Sequence, residues 1–339
     1  LAAVFFAAGF AAGRTGGSSL VHPILATLGD LASFEPGDDW VFEMKWDGYR
    51  AIATVRDGVA EFRSRNGLDF TPTYPELAEL AEAVAGDAVL DGEIVALDAR
   101  GRPDFGTLQQ RSGITNPREV ERARLAVEVK FFAFDVLEAS GATLIGEPYE
   151  KRRALLREIV EDRGPIVVPP DGGSDLDAAI ATSRKLGLEG VIAKRRGSPY
   201  RVGRRSRDWL KIKHTLTQEV VIGGWRPGAG ARAATLGALL LGIPADGGLR
   251  YVGRVGSGFT DRDLADLRSR LDRLDRATPP LDGVPDADAA DAHWVTPKLV
   301  GEVEYAEITS DGRLRAATWR GLRPDKTPAD VTLEVPHGS

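Results

Sequence analysis

The sequence predicts an α+β chain in two parts, and three observations carry that expectation. At 339 residues the chain exceeds what one ordinary core organises. Strand-like and helix-like stretches interleave as far as about residue 214, the mixture expected around a central sheet. Beyond Thr217 the pattern becomes five short strands with glycine and proline turns and one helix after the third, the pattern of a small OB-type barrel. The first domain is therefore expected over residues 21–215 and the barrel domain over 216–339, with residues 1–20 as a linker or tail.

The elements follow in order. Trp40, Val41 and Phe42 open an apolar strand that runs into Lys45. Gly48 and Arg50 lead to a second strand ending at Val55, so the pair reads as a hairpin with Lys45 beside its turn. Asp57-Gly58 then turns Tyr49–Val55 back into Val59–Arg63. Pro75 to Ala85 carries Leu77, Leu80, Ala81 and Val84 at helical spacing. Ala88 to Leu97 and Val127 to Leu137 are strands. Tyr149 to Glu161 and Leu176 to Leu186 are amphipathic helices, the latter stopped by Gly187. Gly190 to Lys194 and Trp209 to Lys213 are short strands. In the second part the strands are Val220–Trp225, Leu236–Gly242, Leu249–Val255, Glu302–Thr309 and Leu314–Thr318, with a helix over Asp261–Leu274. Ala277 to Ala292, rich in Pro, Asp and Ala, is expected as an exposed loop.

Composition narrows the function. There is no cysteine, hence no disulfide framework and no thiolate nucleophile or metal ligand. Four scattered histidines leave little for a histidine metal cage. The apolar Leu1–Ala12 is too short to span a bilayer, which needs ~20 helical residues, and it lacks a basic leader. The net charge of −6 hides a local inversion. Residues 194 to 214 hold nine Lys/Arg and one acid, leaving 35 basic and 49 acidic residues elsewhere. A basic stripe on an acidic chain suits a polyphosphate or nucleic-acid backbone.

The chemistry centres on Glu43 to Arg50. Lys45, Asp47, Gly48 and Arg50 form K-x-D-G-x-R, which arises by chance about once in 10⁵ positions. A lysine at a strand end, half-buried yet within reach of a ligand, is where a nucleophilic amine is expected. Any one such lysine is more often an ordinary surface residue, so its companions decide. The pattern resembles motif I of the covalent nucleotidyltransferases: DNA ligases, RNA ligases and mRNA capping enzymes. In that family the lysine attacks the α-phosphate of a nucleotide and holds it as a phosphoramidate.

Further stretches resemble the family's other motifs, in order. Ser64-Arg65-Asn66-Gly67 is similar to motif Ia, which implies Arg65 on the DNA 5′-phosphate. Asp91-Gly92-Glu93 is similar to motif III, implying Glu93 on the ribose and near the metal. Phe131 to Asp135 is similar to motif IIIa, implying Phe134 stacked on the base. Leu188 to Lys194 is similar to motif IV, with Glu189 as metal ligand. Trp209 to Lys213 is similar to motif V, with Lys211 and Lys213 on the α-phosphate and their charge beside Lys45. Arg320 to Lys326 is similar to motif VI, implying Arg323 and Lys326 on the leaving pyrophosphate and a second domain that closes over ATP. Glu43 is implied near the base and Arg50 at the ribose or phosphates.

Trp46, Val221 to Trp225, Leu249 to Phe259 and Gly321-Leu322-Arg323 resemble the ligase domain of the bacterial ligase D type, over about residues 22–335. The resemblance implies an adenylation domain of antiparallel sheets with flanking helices, followed by an OB barrel. It implies an ATP-dependent DNA ligase working through lysyl-AMP, with Mg²⁺ or Mn²⁺, on nicked or broken duplex DNA in bacterial non-homologous end joining. Implied partners are Ku and a polymerase or nuclease domain of a parent chain. No membrane, a monomeric state and a cytoplasmic, nucleoid-associated location complete the expectation. The same lysine chemistry serves RNA ligases and capping guanylyltransferases, and a ligase-like DNA-binding module without activity is the alternative of another class.

Overall fold

The computed structural model describes residues 21–29, 34, 39–98, 101–228 and 236–334. The expected linker at 1–20 lies outside them. The first part supplies β1 (Leu25–Leu28), β2 (Trp40–Lys45), β3 (Tyr49–Arg56), β4 (Val59–Ser64) and β5 (Ala88–Ala96). It continues with β6 (Val129–Ala139), β7 (Ala142–Thr143), β8 (Ile166–Val167), β9 (Gly190–Arg195) and β10 (Arg205–Lys213). Its helices are α1 (Leu80–Ala83), α2 (Phe105–Gln109), α3 (Pro117–Ala126), α4 (Tyr149–Ile159) and α5 (Leu176–Lys185).

These strands make two sheets, ordered β1-β10-β9-β2 and β4-β3-β5-β6-β7, with β8 on β6. All pairings are antiparallel except β1 with β10 and β6 with β8. The β3–β4 hairpin turns at Asp57 (φ 49°) and Gly58 (φ 76°), the two left-handed positions that a two-residue turn requires. The expected hairpin around Lys45 is not one. β2 pairs with β9 in the smaller sheet, whereas β3 pairs with β4 and β5 in the larger. Residues 46–48 cross between sheets, and Gly48 presses against β5 so closely that a Cβ there would meet the Ile94 carbonyl oxygen at 2.2 Å. Only glycine permits that approach.

The alternation of β3, β5 and β6 sends one face of the larger sheet into a core with Phe62, Leu77, Leu80, Phe131, Leu156 and Ile166. Its opposite face meets the smaller sheet through Ile52, Val89, Phe134 and Trp209. The cleft opens between the two. The Pro75–Ala85 helix is a 3₁₀ turn, Pro75–Glu79, followed by α1. Helices α2 and α3 had no periodic signal: α3 buries only Val120 and rests on an Asn116 cap and Pro117 at its start.

The second part has β11 (Leu216–Pro227), β12 (Leu236–Ala245), β13 (Gly248–Val255), α6 (Asp261–Asp272), β14 (Asp275–Arg276) and β15 (Leu281–Asp282). Helix α7 (Asp286–Ala289), β16 (His293–Val295), β17 (Val300–Tyr305), β18 (Glu307–Ile308), β19 (Leu314–Arg315) and β20 (Thr318–Leu322) complete it. Five main strands surround a core of Val220, Ile222, Leu239, Val252, Val303 and Trp319, capped by Leu267 and Leu271 of α6. Two expectations need correction. The fifth strand is β20, not Leu314–Thr318. The chain breaks at Ala316 (φ 53°), leaving Leu314–Arg315 in a two-stranded ribbon, and Trp319 then fills the space over Gly301. The stretch 277–292 is not a simple loop. Leu281 packs over Gly223 and Gly242, and Asp288 accepts hydrogen bonds from Tyr251 (2.7 Å), Arg226 (2.9 Å) and Arg254 (2.7 Å). Among the described residues no helix is long and apolar enough to cross a membrane.

Candidate active site

Lys45 ends β2 in the wall of a cleft with about 190 Å³ of water-accessible space, lined by both domains. Its Nζ contacts Glu189, which stands just before β9 and reaches Lys45 because β9 pairs with β2. The other Glu189 oxygen faces Lys213 at 3.6 Å. Burial alone would raise the Glu189 carboxyl, but Lys45 and Lys213 outweigh it and hold the group far below the usual carboxylate range. The Glu189 carboxylate thus pairs with the amine of Lys45.

One side of the cleft carries aromatic and guanidinium groups. Arg50 on β3 is gripped by Asp91 on β5 at 2.5 and 2.6 Å, in the paired geometry of a guanidinium and a carboxylate. The Tyr200 hydroxyl donates to the same Asp91 at 2.5 Å. Held this way, the guanidinium lies 4.7 Å from the centre of the Phe134 ring. Phe134 lines the cleft, with the Lys194 amine also 4.7 Å from its ring centre. Glu93 faces the same space, and burial pushes its carboxyl up to about 7, against the opposing pull of Arg50 and Lys45. Glu43 lines the cleft too, but both its oxygens are engaged. Tyr149 and Arg153 (3.4 Å) meet one, and Lys194 (2.7 Å) meets the other. It acts as the hub of a buried network more than as a free contact for a base.

That network corrects the reading of the basic stripe. Lys194 is 1 % exposed and sits 4.1 Å from the Trp209 ring centre, so it belongs to the interior. Arg196 pairs with Asp39 (2.9 Å) and Arg201 with Asp208 (3.4 Å), while Arg204 and Arg207 are exposed.

The other wall is ionic. Lys211 and Lys213 project from one face of β10, as their spacing predicts. They do not face Lys45 as free charges: both grip the carboxylate of Glu334, Lys213 at 3.2 Å. Burial pushes the Lys211 amine down to about 8, with Glu334 opposing, and the two lysines hold Glu334 down to about 2 against its own burial.

The second domain closes the cleft. Arg320 on β20 contacts Asp47 and lies 3.2 Å from Glu302. Burial, reinforced by Glu189, pushes Asp47 up to about 6. Arg323 is held by Asp325 (2.7 Å) and Glu302 (3.1 Å) and lies 5.5 Å from the Phe105 ring centre. Lys326 contacts Glu219. Arg65 faces Asp330 at 3.5 Å, and Asn66 donates to Asp330 and to the Asp325 carbonyl, both at 2.8 Å. Gln109 donates to the Leu322 carbonyl at 3.0 Å.

Among the described residues no group of three or more His, Asp or Glu side chains makes a ready metal cage. Glu189 and Glu93 both line the cleft, and they suit a hard divalent ion that takes one or two carboxylates and fills its remaining positions with phosphate oxygens and water.

The arrangement brings together every residue singled out in the sequence: Lys45, Glu43, Arg50, Glu93, Phe134, Glu189, Lys211, Lys213, Arg323, Lys326 and Arg65 all line one cleft. Asp91 and Arg320 lie inside the recognised motifs but were given no role there. Tyr149, Arg153, Tyr200, Asp330 and Glu334 were not anticipated, and these five reach the site only through contacts spanning more than a hundred residues.

Comparison with known proteins places this geometry. The family model described as "ATP dependent DNA ligase domain" matches residues 23–213, and "ATP dependent DNA ligase C terminal region" matches 232–326. The chain is 46% identical over 317 residues to the multifunctional non-homologous end joining DNA repair protein LigD of Mycobacterium tuberculosis, covering 92% of this chain and 40% of that protein. It is 40% identical over 337 residues to the Pseudomonas aeruginosa protein of similar name, covering 96% of this chain and 38% of that one. The chain thus spans about two fifths of the length of these relatives. Among solved structures, "mycobacterial DNA ligase D complexed with ATP and MES" matches with TM-score 0.65 and 44% identity, over 93% of this chain and 98% of that one.

Proposed function

The chain belongs to the ATP-dependent DNA ligase family, and we propose that it seals 3′-hydroxyl/5′-phosphate breaks in duplex DNA through a lysyl-AMP intermediate. The observation that carries this reading is the Lys45–Glu189 pair in a cleft whose other wall is Lys211 and Lys213, with Arg323 and Lys326 delivered by the second domain.

In the first step the Lys45 amine attacks the α-phosphorus of ATP. A P–N bond forms, the α–β bridging bond breaks and pyrophosphate departs, while the amine releases its protons. Glu189 holds Lys45 in line, Lys211 and Lys213 neutralise charge on the α-phosphate, and Arg323 and Lys326 take the leaving phosphates. Glu189 and Glu93 would hold a divalent ion, Mg²⁺ or Mn²⁺, which would supply Lewis-acid charge neutralisation. Phe134 stacks on the adenine, backed by the Arg50–Asp91–Tyr200 chain, and Glu93 faces the ribose. In the second step a DNA 5′-phosphate oxygen, positioned by Arg65, attacks the same phosphorus and breaks the P–N bond. In the third the 3′-hydroxyl attacks the DNA 5′-phosphorus, a phosphodiester forms, and AMP leaves.

Residues 21–215 form the adenylation domain and 216–339 the OB domain in this reading. The proposed setting is the bacterial cytoplasm, in non-homologous end joining, with Ku and a polymerase or nuclease domain of a parent chain as partners. The exposed Arg204 and Arg207 suit a DNA backbone. Incubation with α-labelled ATP and divalent metal tests the reading: label is expected on the protein, is lost in Lys45→Ala, and is absent with labelled GTP. Exclusive labelling by GTP would redirect the assignment to a guanylyltransferase.

A further inference from the structure

The last described turn of the chain lies inside the nucleotide cleft. Val331 is buried in the barrel core, and beyond it Gln218 of β11 clamps the backbone. Its side chain donates to the Thr332 carbonyl at 2.9 Å and accepts from the Glu334 amide at 2.9 Å. The clamp aims Glu334 at β10, where its two oxygens divide between Lys211 and Lys213. A carboxylate spread over two lysines has the charge and geometry of a phosphate on the same pair.

A second carboxylate of the same segment behaves alike. Asp330 is anchored by Thr327 at the start of the Pro328–Asp330 turn and faces Arg65 at 3.5 Å, while Asn66 donates to it at 2.8 Å. Arg65 and Asn66 belong to the adenylation domain, and Asp330 to the barrel. Lys326 lines the same cleft.

We propose that residues 330–334 are an internal occupant of both phosphate subsites, with Glu334 standing in for the nucleotide α-phosphate on Lys211 and Lys213 and Asp330 for the DNA 5′-phosphate on Arg65. This rests on the ligase reading of those cations. ATP enters only by displacing Glu334 while the barrel stays closed. DNA reaches Arg65 only when the barrel swings away and takes Asp330 with it. The segment therefore orders the two substrates, nucleotide before DNA, and keeps the buried lysines paired between turnovers, when unpaired charges there would be costly.

The test is equilibrium binding of α,β-methylene-ATP with Mg²⁺, and of nicked duplexes bearing a 5′-phosphate or a 5′-hydroxyl. Removing an occupant that fills the site most of the time raises apparent affinity by the fraction of empty site it restores, about three- to tenfold. Glu334→Gln is expected to tighten the nucleotide by that factor, and Gln218→Ala, which releases the clamp without touching a lysine, to shift it the same way. Asp330→Asn is expected to act on DNA instead, widening the preference for 5′-phosphate over 5′-hydroxyl by a similar factor. Weaker or unchanged nucleotide binding in both Glu334→Gln and Gln218→Ala overturns the nucleotide half. An unchanged phosphate preference in Asp330→Asn overturns the DNA half. Covalent labelling of the wild-type chain runs alongside: no label overturns the ligase reading itself, whereas label with unmoved affinities overturns only the occupancy.

Discussion

Two ionic clusters in this molecule use the same residue types to opposite ends. In the floor of the cleft, Glu43, Lys194, Arg153 and Tyr149 all come from one domain and are sealed from water. At the rim, Lys211, Lys213 and Glu334, and likewise Asp47 and Arg320, join groups from two domains. A sealed cluster cannot exchange partners without leaving a charge stranded in low dielectric, so it is scaffold. A cluster split between domains exchanges partners whenever the domains part, so its cations are available to a substrate. The sealed side chains are at most 8% exposed and those at the rim 7–20%. Ownership of the partners adds to that difference in burial.

Breaking the sealed cluster should give the largest effect. Lys194→Met takes the nearer of two cations from Glu43 and is expected to cost about 3–5 kcal/mol of stability, read from denaturant unfolding, whereas Glu334→Gln, at the more exposed rim, should cost clearly less. Equal costs would erase the distinction. Arg320→Ala removes the partner of Asp47 across the domains. Adenylation of Lys45 is expected to slow about tenfold to a hundredfold through lost closure, with a stability change of only ~1 kcal/mol. An unfolding defect that matches the rate defect would place Arg320 with the scaffold.

The pH dependence sharpens the same contrast. Burial lowers Lys211 to about 8 from an ordinary 10.5, so the folded chain holds this proton less tightly than the unfolded one. Its contribution to stability therefore grows as pH rises from about 8 to 10.5, while the phosphate grip proposed for it should be lost as pH passes about 8. Nucleotide affinity, measured on Lys45→Ala so that the nucleophile does not titrate, should weaken above about pH 8. Lys211→Arg should move that limb upward. The smallest effect expected is that of Asn66→Ala, which removes two contacts to the barrel worth ~0.5 kcal/mol each and should raise the KM for ATP about fivefold.

What the sequence revealed followed the range of each physical signal. Alternation and turn chemistry located β3, β4, β5 and β6, because strand period and Asp57-Gly58 act over a few residues. The motif residues were legible because each sits at a strand end or turn whose local pattern survives without its neighbours. Tyr200, Tyr149 and Glu334 carried no such mark. Tyr200 matters through Asp91, 109 residues away, and Glu334 through Lys211, 123 residues away. The hairpin at Lys45 was misread for a related reason. A glycine between two strands signals a turn, and nothing local to it says that β2 and β3 join different sheets.

That crossover has a mechanical consequence. Lys45 ends a strand whose neighbours are β9 and, beyond it, β10, while Arg50 and Phe134 ride on β3 and β6. In the proposed intermediate, a nucleotide bonded to Lys45 and stacked on Phe134 would be stitched to two separate backbone ladders, like a rivet through two plates. Loading with AMP should then slow amide hydrogen exchange in β9 and β6 together, although no ladder hydrogen bond connects them. The covalent intermediate would be the stiffest form of the enzyme, and each sealed strand would return it to its looser state.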